Sequence, residues 1–238
     1  MSVLDHILFV VICLASPLID WLWLYPRLRR ATAAGVTGAR ARGYFLTMLT
    51  SWGLTACVIA LWLAFGRPFG YLRLGIGNPP RSGIGLALAA VYVVFAWLQR
   101  RAILRKPEEA VETLRCQIGR ADALMPHTPR EYRLFQMVAI TAGICEEVLY
   151  RGFVIWYLAI WITIVPAALV SSILFGFAHI YIGIPHVIRT MIVGAVFAVV
   201  ALGTGSLWPA IVLHAAIDLF SGDLVYHTLH AAKTGAET

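Results

Sequence analysis

Long hydrophobic runs, separated by connectors rich in arginine, proline and glycine, make up most of this sequence. Most of the runs approach the roughly 20 apolar residues that an α-helix needs to cross a bilayer. The pattern therefore predicts an all-α, polytopic membrane helix bundle with about seven to eight transmembrane helices. The runs cover residues 3–25, 44–65, 83–98, 131–160, 165–182, 187–203 and 207–226.

The fourth run, residues 131–160, is longer than one simple crossing requires. Thr128 and Pro129 precede it as a helix-start signal, with threonine as the N-cap and proline at the first helical position. Because Gly152 and the charges near it interrupt the run, we expect the helix to break or tilt sharply there.

Composition supports a single integral membrane domain over residues 1–238. Apolar residues make up 60% of the chain and charged residues only 13%, against roughly 25% charged in soluble domains. We divide the domain into three N-terminal spans within 1–98, a polar connector at 99–130 and a helical core at 131–227. In the connector, Pro107 followed by acidic and then basic residues predicts a short surface helix.

The formal net charge of +7 does not indicate nucleic-acid binding, because the arginines cluster in the connectors. Basic connectors beside acidic lipid head groups explain them better. The first two connectors hold five and three lysines and arginines, and the stretch from Arg100 through Arg133 holds eight, which predicts that the first and third connectors face the cytoplasm. The basic, alanine-rich composition suggests a bacterial inner membrane.

Few ionisable residues remain inside the predicted spans. A charge at the centre of a membrane helix costs about 2.5–3.5 kcal/mol on insertion scales, so such residues usually face the bundle interior and mark a functional site. In the segment EEVLYR, Glu147 and Arg151 are four residues apart and share one helix face. Glu146 points about 100° away on a helix of 3.6 residues per turn, so the two carboxylates have different roles.

Two later segments repeat this spacing. FGFAH places Phe175 and His179 four residues apart, and HAAID does the same for His214 and Asp218. The three segments lie on separate helices and can converge in the core of a bundle. Three other ionisable residues lie near the ends of the first span, and we interpret them as structural or interfacial: Asp5, His6 and Asp20.

Intramembrane proteases are one class of protein that must hold water and titratable groups inside a bilayer. The motifs of several such proteases are missing from this sequence. The sequence holds no HExxH zinc helix, no GxSxG nucleophile and no GxGD segment, which argues against zincin-like, serine and presenilin-like chemistry. What remains is a carboxylate that acts as general base on water, assisted by histidines.

The order EExxxR, FxxxH and HxxxN or HxxxD resembles the CAAX protease and bacteriocin-processing enzyme family, also called the CPBP or Abi family. The resemblance covers about residues 130–225 and implies a glutamate-dependent intramembrane endopeptidase without a cofactor. It implies membrane lipid and a membrane-anchored or lipidated protein or peptide as partners. The implied catalytic residues are Glu146 and His179 for water activation and His214 and Asp218 for the oxyanion, with Glu147, Arg151 and Phe175 in support.

Several points stay open at this level. The last motif position is often asparagine in the eukaryotic members, and an ionised Asp218 cannot donate a hydrogen bond, so orienting His214 is its alternative role. Zinc bound by Glu146, His179 and His214 is an alternative to a metal-free site. A non-proteolytic membrane scaffold or immunity protein is the alternative function.

Sidedness is open as well. A helix that begins at Pro129 on the cytoplasmic side places Glu146 17 residues, or roughly 25 Å, away from that face. CAAX-processing relatives suggest a site that opens to the cytoplasm, so the charge pattern and the resemblance disagree.

Overall fold

The computed structural model describes residues 1–105, 111, 114 and 118–235, with the side chains of the last helix described through residue 230. Helices and turns make up this part of the chain, and it contains no strand. The all-α class predicted from the sequence is confirmed. The surface helix predicted at Pro107 lies outside the described residues.

Seven long helices organise the described residues. Their bounds are α1 Val3–Ala33, α2 Ala39–Ala64, α3 Pro79–Ile103, α4 over 129–159, α5 Ile164–Phe177, α6 Ile184–Thr204 and α7 Trp208–Gly235. By length and composition, α1, α2, α3, α6 and α7 can each cross a membrane, whereas α5 is a shorter apolar helix of 14 residues. The chain is an integral membrane helix bundle.

The packing of the bundle follows from where its small residues lie. Large apolar side chains such as Val199 and Leu63 point outward, while the buried face of α5 consists mostly of alanine, serine and glycine. Small residues let membrane helices approach closely, since burying apolar groups gives no gain against lipid. At Gly143 of α4, for example, an added Cβ would lie 2.8 Å from the Cβ of Ala215 on α7.

Helix α4 lies at the centre of the bundle and packs against α2, α5, α6 and α7. It begins at Pro129, where Thr128 Oγ1 accepts a hydrogen bond from Glu131 N at 3.2 Å. The helix start predicted from Thr128 and Pro129 is therefore confirmed.

The break expected near Gly152 does not occur. Helix α4 continues from Pro129–Glu146 through a π-helical segment, Glu147–Val154, into Ile155–Ala159. Side chains from outside α4 support the wider turn: Ser171 Oγ donates to Tyr150 O at 2.8 Å and Arg73 Nη1 donates to Arg151 O at 3.2 Å. The prediction was wrong because the charges are paired inside the bundle and do not need a break to reach water.

Candidate active site

The π-helical segment of α4 carries the fully buried carboxylate of Glu147. Its Oε1 accepts one hydrogen bond from Arg151 Nη1 at 3.0 Å and another from His214 Nδ1 at 2.8 Å. Both Glu147 and Arg151 are at most 1% exposed. Such a buried pair is tolerated only where additional hydrogen bonds compensate for lost hydration, and His214 supplies one of them.

Two further contacts hold Arg151 in addition to its hydrogen bond with Glu147. Its Nη2 donates to Gly194 O on α6 at 3.0 Å, and its guanidinium carbon lies 4.2 Å from the ring centre of Phe175. Phe175 is the aromatic residue of the FGFAH segment, and its carbonyl also accepts a hydrogen bond from His179 Nδ1 at 2.9 Å. The structure thus brings Phe175 and Arg151 together with the histidine motif.

His214 lies among three carboxylates. Its Nδ1 is occupied by Glu147, while its Nε2 lies 3.7 Å from Glu146 Oε2 and 3.6 Å from Asp218 Oδ2. Neither of the longer distances is a hydrogen bond. In the structure, Glu147 on another helix is hydrogen-bonded to Nδ1 of His214, whereas Asp218, four residues along α7, forms no hydrogen bond with this imidazole. The orienting role of Asp218 stays a prediction.

Glu146 differs from Glu147 in its surroundings. Its side chain is 23% exposed, and it accepts no hydrogen bond from the side chains or backbone that the structure describes. Glu146 lines a cavity of about 530 Å³ together with His179. A carboxylate in this position has lone pairs available for a water molecule.

His179 lies directly after α5, at the start of a short 3-10 turn, Ile180–Ile182. Because its Nδ1 points to Phe175 O, its Nε2 is the nitrogen left for other partners. His214 and Asp218 do not line the cavity that Glu146 and His179 share. The four predicted catalytic residues are thus close together, and only two of them face this space.

The cavity is enclosed mainly by α1 and α2. It extends from Glu146 and His179 toward the ends of these helices that carry Arg27 and Arg42. Leu124, from the turn Gly119–Leu124, lies at the same end. The residues from α1 and α2 that line it include Ile12, Ser16, Pro17, Leu24, Leu28, Leu46, Thr47, Thr50, Ser51 and Leu54.

Sequence reasoning missed Asp20. The sequence predicts a structural or interfacial role for it, as for Asp5, but Asp20 lines the cavity and lies close enough to Glu146 for their charges to interact. Asp5, in contrast, is buried away from the site and forms an ion pair with Arg67 at 2.7 Å. The sequence offered one indication for Asp20, the free-energy cost of placing a carboxylate inside a membrane helix. The same cost applies to Asp5, so it could not separate the two residues.

Sequence reasoning also missed Tyr181, which lines the cavity two residues after His179. No charged motif marks a tyrosine, and its position depends on how the chain turns between α5 and α6. Its ring packs against the imidazole of His179, with ring centres 6.1 Å apart.

The zinc alternative can be compared with the side-chain geometry. Among the described residues, no three histidine, cysteine, aspartate or glutamate side chains are grouped so that they could hold a metal ion. Of the two imidazole Nδ1 atoms at the site, one is bonded to Glu147 and the other to a backbone carbonyl. A metal-free site stays a prediction.

Residues 129–220 match the family model described as type II CAAX prenyl endopeptidase Rce1-like. The match runs from the start of α4 into α7 and includes all three motifs, which confirms the family resemblance inferred from them. A search of curated proteins and a search of solved structures each gave no match.

Proposed function

We propose that this CAAX-protease-like chain is a glutamic-type intramembrane endopeptidase that hydrolyses a peptide bond in a membrane-associated or lipidated protein or peptide. One observation carries the proposal. Of the two adjacent glutamates, Glu147 is hydrogen-bonded to Arg151 and His214 and does not line the cavity, whereas Glu146 lines a cavity large enough for a peptide segment.

The proposed reaction begins with water held by Glu146 and by the free Nε2 of His179. Glu146 takes a proton as the water oxygen attacks the scissile carbonyl carbon, which is general base catalysis. The same proton is then delivered to the leaving amine when the carbon–nitrogen bond breaks. Glu147 and Arg151 are supporting residues that keep His214 in place beside Glu146.

The proposed substrate enters the cavity between α1 and α2. Its walls hold apolar residues such as Leu28 and Leu54, which suit an acyl or prenyl chain, and serine and threonine hydroxyls such as Ser51, which suit a peptide backbone. We therefore propose membrane lipid and a membrane-anchored or lipidated polypeptide as the partners.

The cavity also bears on sidedness. It runs from Glu146 to the ends of α1 and α2 that flank the first arginine-rich connector. If that connector is cytoplasmic, as its charge suggests, a deep glutamate on α4 can still be reached from the cytoplasm without a tilted helix. We propose this topology, in a bacterial inner membrane.

The experiment uses the purified full-length protein in detergent and a farnesylated CAAX reporter peptide, with products identified by mass spectrometry. Glu146→Gln should reduce kcat by roughly 100- to 10,000-fold, the range expected for loss of a general base. His179→Ala should also reduce it strongly. Glu131→Gln, the same substitution at the start of α4 and outside the cavity, is the matched control and should keep wild-type activity.

Two outcomes would contradict the proposal. Undiminished cleavage by both site variants, or a cellular phenotype that survives both, would favour the non-proteolytic scaffold or immunity protein. Loss of cleavage on treatment with a chelator, restored by added zinc, would replace the metal-free mechanism with the zinc alternative at the same residues.

A further inference from the structure

The pair of His214 and Asp218 offers the oxyanion of peptide hydrolysis at most one hydrogen-bond donor, the Nε2 of His214, and neither side chain lines the cavity. An ionised Asp218 only accepts hydrogen bonds. The Nδ1 of His214 is bonded to Glu147, its Nε2 faces the carboxylates of Glu146 and Asp218, and neither His214 nor Asp218 lines the cavity. A substrate carbonyl in this cavity therefore needs another hydrogen-bond donor.

Four tyrosines line the cavity, and three of their hydroxyls are already committed. Tyr25 donates to Arg120 O, Tyr44 donates to Leu124 O at 2.6 Å, and Tyr150 donates to Ile12 O at 3.4 Å. The hydroxyl of Tyr181 has no hydrogen-bond partner in the part of the chain that the structure describes. It is the one phenol among the four that can donate to a ligand without breaking an existing bond.

Tyr181 lies close to the two residues that are proposed to activate water, Glu146 and His179. Its ring lies between those of His179 and Tyr25, with ring centres 6.1 and 5.1 Å away, respectively. The phenol is also near enough to Glu146 and Asp20 for electrostatic interaction. An ordinary tyrosine ionises near pH 10, about three units above neutral, so the phenol keeps its proton under working conditions.

We propose that Tyr181 is a catalytic residue whose hydroxyl donates a hydrogen bond to the oxyanion of the tetrahedral intermediate. The inference rests on the proposed function. As the water oxygen bonds to the scissile carbon, the carbonyl π electrons move onto oxygen, and the Tyr181 O–H stabilises that charge. When the carbonyl re-forms, the carbon–nitrogen bond breaks and the amine leaves with the proton that Glu146 had taken.

The test is Tyr181→Phe, which removes only the hydroxyl, assayed on the farnesylated CAAX reporter peptide. Loss of one oxyanion donor lowers kcat by about 100- to 1,000-fold, and KM should stay close to wild type because the hydrogen bond strengthens only in the transition state. The matched control is Tyr157→Phe on α4. Its hydroxyl bonds to His6 and does not line the cavity, so its activity should be unchanged.

A second measurement does not depend on turnover. A farnesylated reporter analogue with a ketone in place of the scissile amide can hydrate to a tetrahedral form that mimics the intermediate. Tyr181→Phe should weaken binding of this ketone by the same factor as kcat falls. Binding of the parent peptide to an inactive Glu146→Gln background should not change when Tyr181→Phe is added. A purely structural role would weaken both ligands alike.

The outcomes separate this inference from the proposed function. If Glu146→Gln abolishes cleavage while Tyr181→Phe keeps wild-type kcat and ketone affinity, the oxyanion role is wrong and the protease stands. If Tyr25→Phe causes an equal loss of kcat, the assignment to Tyr181 alone is also wrong. If no cleavage depends on Glu146, both proposals fail together.

Discussion

In the part of the chain that the structure describes, two arginines pair with a fully buried carboxylate, and the two pairs differ in their other partners. Asp5 of α1 pairs with Arg67, just beyond the end of α2, while Glu147 pairs with Arg151 inside α4. Both carboxylates are fully buried. Burial of the carboxylate therefore does not distinguish the two pairs, and the difference lies in the partners that complete them.

The pair of Asp5 and Arg67 is complete. Two guanidinium nitrogens bond to the two carboxylate oxygens at 2.7 and 2.8 Å, and Ser2 N adds a third hydrogen bond at 2.6 Å. The guanidinium lies within about 5 Å of the ring centres of Trp62, Phe65 and Trp156. Neither side chain of this pair has a buried polar atom without a partner among the described residues, and the pair joins α1 to α2 and α4.

The pair of Glu147 and Arg151 is incomplete. Among the described residues, Glu147 Oε2 and Arg151 Nε have no hydrogen-bond partner, although both atoms are buried. The other oxygen of Glu147 accepts two donors, one of them from His214. The pair thus leaves two polar atoms without hydrogen bonds while Glu147 bonds to the imidazole of His214. This arrangement favours a functional role.

The largest expected effect comes from removing one arginine of each pair. Arg67→Ala and Arg151→Ala each leave a buried carboxylate without its cation, which costs about 3–5 kcal/mol. Both variants should show a much lower unfolding temperature in detergent.

Double variants should then distinguish the two pairs. Replacing both partners by apolar residues is often nearly neutral for stability, so Asp5→Leu with Arg67→Met should recover stability and cleavage. Glu147→Leu with Arg151→Met should recover stability but not cleavage. Equal recovery of cleavage by both double variants would show that the two pairs have the same role.

The next prediction removes the charge of Glu147 with little change in the shape of its side chain. Glu147→Gln should lower kcat by roughly 100-fold, since a mispositioned His214 no longer assists proton transfer at Glu146. Asp5→Asn is the matched control and should leave kcat unchanged while lowering the unfolding temperature. A kcat for Glu147→Gln close to wild type would mean that His214 is oriented by something else.

The smallest effect tests how tightly Arg151 is held. A Cβ at Gly194 would lie 2.8 Å from Arg151 Nη2 and 2.9 Å from Phe175 Cδ1, so Gly194→Ala should cost about 1–3 kcal/mol by overpacking and lower kcat. Gly203 is on the same helix with nothing within 4 Å of its added Cβ, and Gly203→Ala should raise stability by about 0.4–1 kcal/mol. Equal effects of the two variants on kcat would show that the site tolerates movement of Arg151.

Much of the site could be predicted from the sequence because its residues occur in pairs that are four positions apart. The spacing of Glu147 and Arg151 indicated a pair, and the pair forms even though α4 is π-helical there and not α-helical. Periodicity could not predict that π segment, since its wider turn is supported by donors from outside α4. The break expected at Gly152 does not occur because the charges near it are paired inside the bundle, partly with His214 on another helix.

The parts that sequence reasoning missed depend on contacts between distant segments. The partner of His214 is Glu147, 67 residues earlier in the chain, whereas the nearest acid in sequence was Asp218. Asp20 and Tyr181 enter the cavity only because α1 packs near the turn after α5. The spacing of residues within one helix cannot predict such contacts between distant segments.

The central claim is that Glu146 supplies the base for peptide hydrolysis in the membrane. Comparing membrane peptides by mass spectrometry, from cells that express the wild-type protein or Glu146→Gln at equal levels, tests it most directly. If Glu146 is the base, a set of C-terminal or leader fragments should disappear in the variant while their uncleaved precursors accumulate. Identical fragments in both membranes would contradict it.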